Sequence, residues 1–172
     1  MTKPPSRIEL AMSPTPIMKL ERVSRRLGVE LYLKRDDLTG MLESGNKVRK
    51  LEFLVADALD QGADTLITVG TLQSNCCRAV AAVAARLGLS AVVAVKGPRP
   101  DVYDGNLLLN RMLGAEVHYL SDEEFASYPV ALEAIGEGVR RRGATVGADF
   151  GALDVADLRR ALPIEKQGRG WI

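Results

Sequence analysis

The chain has 172 residues, 47% of them hydrophobic and 26% charged, with a formal net charge of +1. That length can bury a real core in one domain, and the dispersed, near-neutral charge excludes a basic footprint for nucleic acid. No apolar run approaches the roughly 20 residues of a membrane span. The opening MTKPPSRIEL has no apolar signal core. The cysteines are the neighbours Cys76 and Cys77, with neither disulfide nor metal-ligand spacing. These features point to a cytoplasmic protein without a metal site and without a nucleic-acid or membrane partner.

After a proline-rich start, SPTPIMKLERVSRRLG predicts a short helix stopped by Gly28, and VELYLKRDD a strand ending in charge. NKVRKLEFLVADALDQG places Val48, Leu51, Leu54, Val55 and Leu59 at helical spacing and closes at Gly62. DTLITVG then reads as a short apolar strand, SNCCRAVAAVAARLG as an alanine-rich helix, LSAVVAVKG as a strand, GNLLLNRMLG as a helix and AEVHYL as a strand. EEFASYPVALEAIGEGVRRRG predicts a helix interrupted by Pro129, and ATVGADF one more strand. Apolar strands of about five residues alternating with helices specify an α/β fold. Its sheet is open and parallel, of about four strands, with helices on both faces, and its ligands gather at the carboxyl ends of the strands. The last stretch, GALDVADLRRALPIEKQGRGWI, offers one short helix before Pro163 and a polar tail carrying Trp171.

Two helix starts carry candidate chemistry. In SGNKVRKLEF (residues 44–53), Lys47, Arg49 and Lys50 crowd the first two turns, the wrong end of the helix dipole for cations. Lys47 and Lys50, three residues apart, share one side. A solvated basic face fits. So does service to an anionic ligand, with a partly desolvated lysine whose neutral amine attacks a carbonyl. In VGTLQSNCCR a strand runs into Gly70 and a turn, and Gln73, Ser74 and Asn75 open a helix. Ser74 or Asn75 caps it, and the N–H groups there face the ligand side of the sheet; capping alone and ligand binding both fit. No G-x-G-x-x-G or Walker-type loop occurs, which speaks against dinucleotides and nucleoside triphosphates. A small anion-binding α/β domain without covalent chemistry stays open. His118, the single histidine, reads as a structural or surface residue rather than a base.

TPIMKLERVSRRLGVELYLKRDDLTG, GNKVRKLEFLVADALDQGADTLITVG, LQSNCCRAVAAVAARLGL and DGNLLLNRMLGAEVHYL resemble, in order and spacing, the D-cysteine desulfhydrase and aminocyclopropane-carboxylate deaminase family. These are pyridoxal-phosphate enzymes of the tryptophan synthase β-like fold (fold type II), and the resemblance runs from residue 15 to 120 and on towards 150. It implies pyridoxal 5'-phosphate as cofactor, a small amino acid as substrate, a lyase or deaminase reaction and a homodimer. YDGNLLLNRMLGAEVHY looks more like the desulfhydrase branch, which takes D-cysteine to pyruvate, sulfide and ammonia, than the deaminase branch. By the resemblance, Lys47 is the catalytic lysine that carries the cofactor as a Schiff base, framed by Asn46 and Arg49, while Lys50 helps neutralise the cofactor or a neighbouring carboxylate. Ser74 is the second catalytic residue, touching the substrate carboxylate and moving a proton or acting as nucleophile. Asn75 lies near the pyridine hydroxyl, and Gln73 joins Ser74 and Asn75 in substrate binding. The pyridinium ring then acts as an electron sink while the protein positions the bond at Cα.

Three departures stand beside this. Thr71 and Ser44 occupy places where the family shows a paired glycine, and Cys76 follows QSN where histidine is common. Family members are roughly twice this length, by the usual size of a domain, so the chain reads as truncated after about residue 150. It then lacks the glycine-rich phosphate cradle and the aromatic residue near the ring. The expected organisation is an N-terminal segment, 1–44, belonging to the larger family domain, a small α/β domain, 45–150, and a divergent tail, 151–172. The alternatives to a D-cysteine desulfhydrase-like enzyme are a catalytically inactive fragment and a deaminase-like activity. Alone, the chain is expected to be weakly active or inactive.

Overall fold

The computed structural model describes residues 5–40 and 42–149; the helix expected before Pro163 and the tail lie outside them. Strand β1 (Ile17–Lys19), helix α1 (Glu21–Leu27) and strand β2 (Tyr32–Lys34) come first, and a 3-10 turn at Asp36–Leu38 precedes α2 (Lys47–Asp60). The chain continues through β3 (Thr65–Thr71), α3 (Asn75–Leu87), β4 (Ser90–Lys96), α4 (Gly105–Met112), β5 (Glu116–Leu120), α5 (Asp122–Ala126), α6 (Tyr128–Arg141) and β6 (Val146–Asp149).

β3 to β6 form one parallel sheet in the order β5-β4-β3-β6. The central pair is unbroken over seven residues, from Thr65 opposite Ser90 to Thr71 opposite Lys96. Alternation along these strands divides the core. Leu66, Val93 and Val95 turn to one side, where they meet Val48, Leu51 and Val55 of α2 and the small side chains of α3. Ile67, Val92 and Ala94 turn to the other and meet Leu132 and Val139 of α6. Alanines at positions 79, 81 and 84 let α3 lie close to the strands. Helices thus cover both faces, as the alternating pattern predicts.

Two local expectations change. The stretch predicted as one helix before Gly28 begins with β1, whose three residues pair antiparallel with β2. A strand this short has no periodicity of its own; its partner 15 residues on stabilises it. Pro129 does not interrupt a helix: the chain breaks at Ser127, and Pro129 sits in the first turn of α6, where its missing N–H costs nothing.

One buried acid ties residues 7–11 to α2. Glu52 on α2 is 2% exposed. Its Oε1 accepts from Leu10 N at 3.1 Å and Ala11 N at 2.9 Å, and its Oε2 pairs with Arg7 at 2.7 Å. Leu10 enters the α2–α3 core beside it. Replacing Glu52 by alanine strips two backbone N–H groups of a charged acceptor, so Glu52→Ala should lose about 2–4 kcal/mol in urea unfolding. Glu52→Gln, which keeps an acceptor oxygen, should lose less than half of that.

Cys77 is fully buried in the same core, whereas Cys76 is half-buried. Burial pushes the Cys77 thiol from 9.0 up to about 11, against smaller opposite pulls from the Ser74 hydroxyl and the Lys50 ammonium. The unfolded thiol ionises first, so this contribution to stability is complete below about pH 9 and is lost between about pH 9 and 11. A thiol reagent at pH 8 should therefore modify Cys76 in the native chain and reach Cys77 only on unfolding.

Candidate active site

The carboxyl edge of the sheet gathers the chemistry for reasons of length and direction. α2 has 14 residues, about 21 Å of helix, and β3 has seven, about 23 Å of strand. A tight turn joins the end of α2 to the start of β3, so the start of α2 returns to the level where β3 ends. A hydrogen bond closes the arrangement: Arg78 Nη2 on α3 donates to the Ser44 carbonyl, 3.0 Å away, just before α2. Val48 and Leu51 of α2 pack in one core cluster with Cys77 and Val80 of α3, so the early turns of the two helices lie together.

The three cations of the α2 start divide. Arg49 is committed: its Nε and Nη2 reach the two carboxylate oxygens of Asp36 at 2.8 and 2.7 Å, and Nη2 also donates to Thr15 Oγ1 at 3.1 Å. Arg49 in turn holds the Asp36 carboxyl below the usual carboxylate range. Its position is therefore explained by structure: it ties the loop at 36–45 to α2. Buried Thr39 tightens the same loop, accepting from Gly45 N and donating its hydroxyl towards the carbonyls of Asp36 and Gly45. Among the described residues, Lys47 and Lys50 have no carboxylate within ion-pair distance, and both are half-buried. Lys47, the first residue of α2, donates to Asn46 Oδ1 at 3.4 Å. Asn46 makes no side-chain cap, and no acid stands in the first turn. Positive charge and uncapped N–H groups meet there without an anion among the described residues.

At the second start, Ser74 is the cap of α3: its Oγ accepts from Cys77 N at 3.2 Å. Gly70 is required beneath it. A Cβ at position 70 would stand 2.5 Å from Ser74 Oγ, 2.6 Å from Ser74 Cβ and 2.9 Å from Cys77 Sγ. Thr71, one residue on, is exposed at the strand end. The carboxamide of Gln73 is engaged at both ends: Nε2 donates to Asp104 Oδ1 at 2.9 Å, and Oε1 accepts from Asn106 N at 2.8 Å. Asn75 Oδ1 accepts from Asn106 Nδ2 at 3.0 Å. Gly105 (φ +47°) allows this contact, because a Cβ there would lie 2.5 Å from Gln73 Oε1. Asp104, Gly105 and Asn106 are parts of the site that the sequence did not single out; Asp-Gly-Asn before a helix carries only a turn and capping signal.

More positive charge lies on the same edge. Arg99, in the loop after β4, and Arg111, on α4, donate to the Tyr103 hydroxyl at 2.7 and 3.2 Å, and the Arg111 guanidinium lies 4.3 Å from the ring centre. His118 is away from this edge chemistry, paired with Glu116 at 2.7 Å. A shallow depression lined by Thr65, Ser90, Glu116 and Arg142 lies at the amino ends of the strands, opposite Lys47 and Ser74. Among the described residues no group of three or more His, Cys, Asp or Glu side chains could hold a metal, and no helix is long and apolar enough to cross a membrane.

Known proteins share this frame. The chain is 42% identical over 173 residues to the D-cysteine desulfhydrase of Serratia proteamaculans, an alignment covering 95% of this chain and 52% of that one. It is 48% identical over 145 residues to the 1-aminocyclopropane-1-carboxylate deaminase of Burkholderia lata, covering 80% and 43%. A putative deaminase of that kind from Thermotoga maritima is 50% identical over 120 residues, covering 69% and 38%. The chain thus spans about 38–52% of the length of the curated relatives it matches. A crystal structure of an ACC deaminase homologue superposes with a TM-score of 0.78 at 38% identity, covering 86% of this chain and 45% of that one. An L-serine ammonia-lyase from Rhizomucor miehei, at 19% identity and a TM-score of 0.51, shares the fold. The similarity also runs further than the sequence motifs suggest, since the family model extends ten residues past 150. Residues 8–160 match the pyridoxal-phosphate dependent enzyme family, and the chain belongs to it.

Proposed function

We propose that this chain provides the lysine-bearing part of a pyridoxal-phosphate-dependent lyase or deaminase acting on a small amino acid, of the D-cysteine desulfhydrase kind. The reaction consumes D-cysteine and one water and yields pyruvate, sulfide and ammonia. The observation that carries this is the meeting, at one sheet edge, of Lys47, an amine with no carboxylate partner among the described residues, with the Ser74–Asn75 helix start. The donor set suits the aldehyde and ring of the cofactor: a lysine for the carbonyl carbon, amide and hydroxyl donors for oxygens, and a net positive setting for an anion. When bound, the cofactor supplies an electron sink for the bond broken at Cα.

The residues divide the remaining work. Lys47 would hold the cofactor covalently, and its amine, once the substrate's amino group has displaced it, would serve as base and acid for the proton at Cα. Ser74 uses an oxygen lone pair on Cys77 N, which leaves its hydroxyl proton for a substrate carboxylate. Asn75 presents its amide to the ring oxygen, and Lys50 adds positive charge that favours the anionic ligand. Gln73 acts as a strut, because both ends of its carboxamide are used inside the protein. Gly70 keeps the strand end close enough for Ser74 to stand where it does.

Among the described residues no glycine-rich loop opens a helix for the phosphate. We assign that cradle, and the cover for β1, α1 and β2, to a second half such as the relatives' greater length allows. Ile17, Leu27 and Tyr32, each more than half exposed, support placing residues 1–44 against such a larger unit, with 45–150 as the small domain. Without such a cradle cofactor binding weakens: each charge-assisted hydrogen bond lost removes about 1.5–3 kcal/mol, and two of them about two to four decades of affinity. The assembled enzyme is a homodimer in this reading. A deaminase-like activity is the second reading, favoured by the 48–50% identity to proteins named for it.

Borohydride reduction in the presence of pyridoxal phosphate should fix a pyridoxyl group on Lys47, and Lys47→Ala should abolish the label. A label on Lys50 instead, or on many lysines equally, would contradict the assignment. Sulfide release from D-cysteine should be slight with this chain alone and should rise when a separately made C-terminal half of a relative is added. Ammonia release from aminocyclopropane carboxylate without sulfide from D-cysteine would select the second reading.

A further inference from the structure

Two backbone groups fix the orientation of three carboxamides at the start of α3. Asn106 N can only donate, so the Gln73 atom 2.8 Å from it is the oxygen, and Gln73 Nε2 is thereby turned to Asp104. The Gln73 carbonyl can only accept, so the Asn106 atom 2.8 Å from it is the nitrogen. The same Nδ2 lies 3.0 Å from Asn75, so the Asn75 atom facing it is Oδ1. Asn75 Nδ2 is then turned away from Asn106, with no protein acceptor among the described residues, on an exposed side chain. None of these orientations depends on a free choice of amide flip, because each traces back to a main-chain atom.

We propose that Asn106 is a positioning residue that locks the Asn75 carboxamide with its N–H groups outward, so that this corner of the site takes only an acceptor oxygen. The identity of that oxygen rests on the cofactor reading: it is the ring oxygen of pyridoxal phosphate. The polarity of the corner does not rest on it. Were position 106 an acid, it could donate neither to the Gln73 carbonyl nor to Asn75, and Asn75 would rotate to donate inward and present its oxygen instead. Asn106 therefore selects the class of ligand, although it is 31 residues from Asn75 and lies outside the QSN motif.

The test uses the full chain, labelled with 15N, and its side-chain amide resonances. In the cofactor-free protein, both Asn106 amide protons should exchange more slowly with solvent than the two of Asn75, since each Asn106 proton has an acceptor. In Asn106→Asp the pattern should invert, with an Asn75 proton becoming protected; if the acid impairs folding, Asn106→Ala, which removes the donor, should shift the Asn75 side-chain amide resonances instead. Slow exchange at Asn75 in the wild-type chain, exchange there unchanged in a folded Asn106→Asp, or unshifted Asn75 resonances in Asn106→Ala would overturn the proposal. With pyridoxal phosphate added, the Asn75 amide should shift, and affinity should fall about ten-fold or more in Asn106→Asp. Absence of a Lys47 adduct in the wild-type chain would reject the cofactor reading and leave the amide assignment standing. A Lys47 adduct equally strong in both proteins, with Asn75 exchange unmoved, would reject the role of Asn106 alone.

Discussion

The unbroken parallel pairing of β3 with β4 is the constraint on which the site depends. Seven consecutive residues in register bring both strands to the same level, at Thr71 and Lys96. α3 opens directly after β3, at Ser74–Asn75, and the loop after β4 brings Asp104 and the first residues of α4, Gly105 and Asn106, beside it. Only then can Gln73 and Asn106 exchange hydrogen bonds across the gap. A slip of one residue would turn every core side chain of the strand to the opposite face and separate the two turns by about 3.3 Å.

Charge is distributed with the same economy. Three cations at the start of one helix are unfavourable for the dipole, and the fold relieves this by taking Arg49 out of the set with Asp36 and Thr15. Lys47 and Lys50 remain beside backbone N–H groups that no side chain caps, a setting that an anionic ligand would stabilise. Beneath them the packing is strict. Gly70, Ser74 and Cys77 touch with no room for a methyl group, so the position of the Ser74 hydroxyl is decided by the core rather than by the surface.

Much of this architecture was legible in the sequence, because apolar runs such as DTLITVG and LSAVVAVKG admit few placements other than buried parallel strands, and the helical stripe from Val48 to Leu59 admits few other than α2. The two helix starts were legible for the same reason, since each is set by where a strand or helix must end. The features that escaped depend on contacts between residues far apart in the chain. β1 exists through its partner β2, Arg49 finds Asp36 thirteen residues away, and Glu52 is buried by a segment that precedes it by about forty. Gln73 is a substrate-binding residue only by the resemblance; its partners in the structure, Asp104 and Asn106, arrive from the next strand–helix connection and could not be read from its own motif. The break expected at Pro129 falls at Ser127 instead, which leaves the proline as a first-turn residue of α6.

The central claim is that the starts of α2 and α3 form one site for pyridoxal phosphate. A crystal structure of the chain after reductive trapping of the cofactor addresses it most directly. The account predicts the pyridoxyl group joined to Lys47, with its ring on the α3 side and its ring oxygen within hydrogen-bond distance of Asn75 Nδ2. A group joined to another lysine, or a ring lying against the amino-edge depression near Arg142, would contradict it.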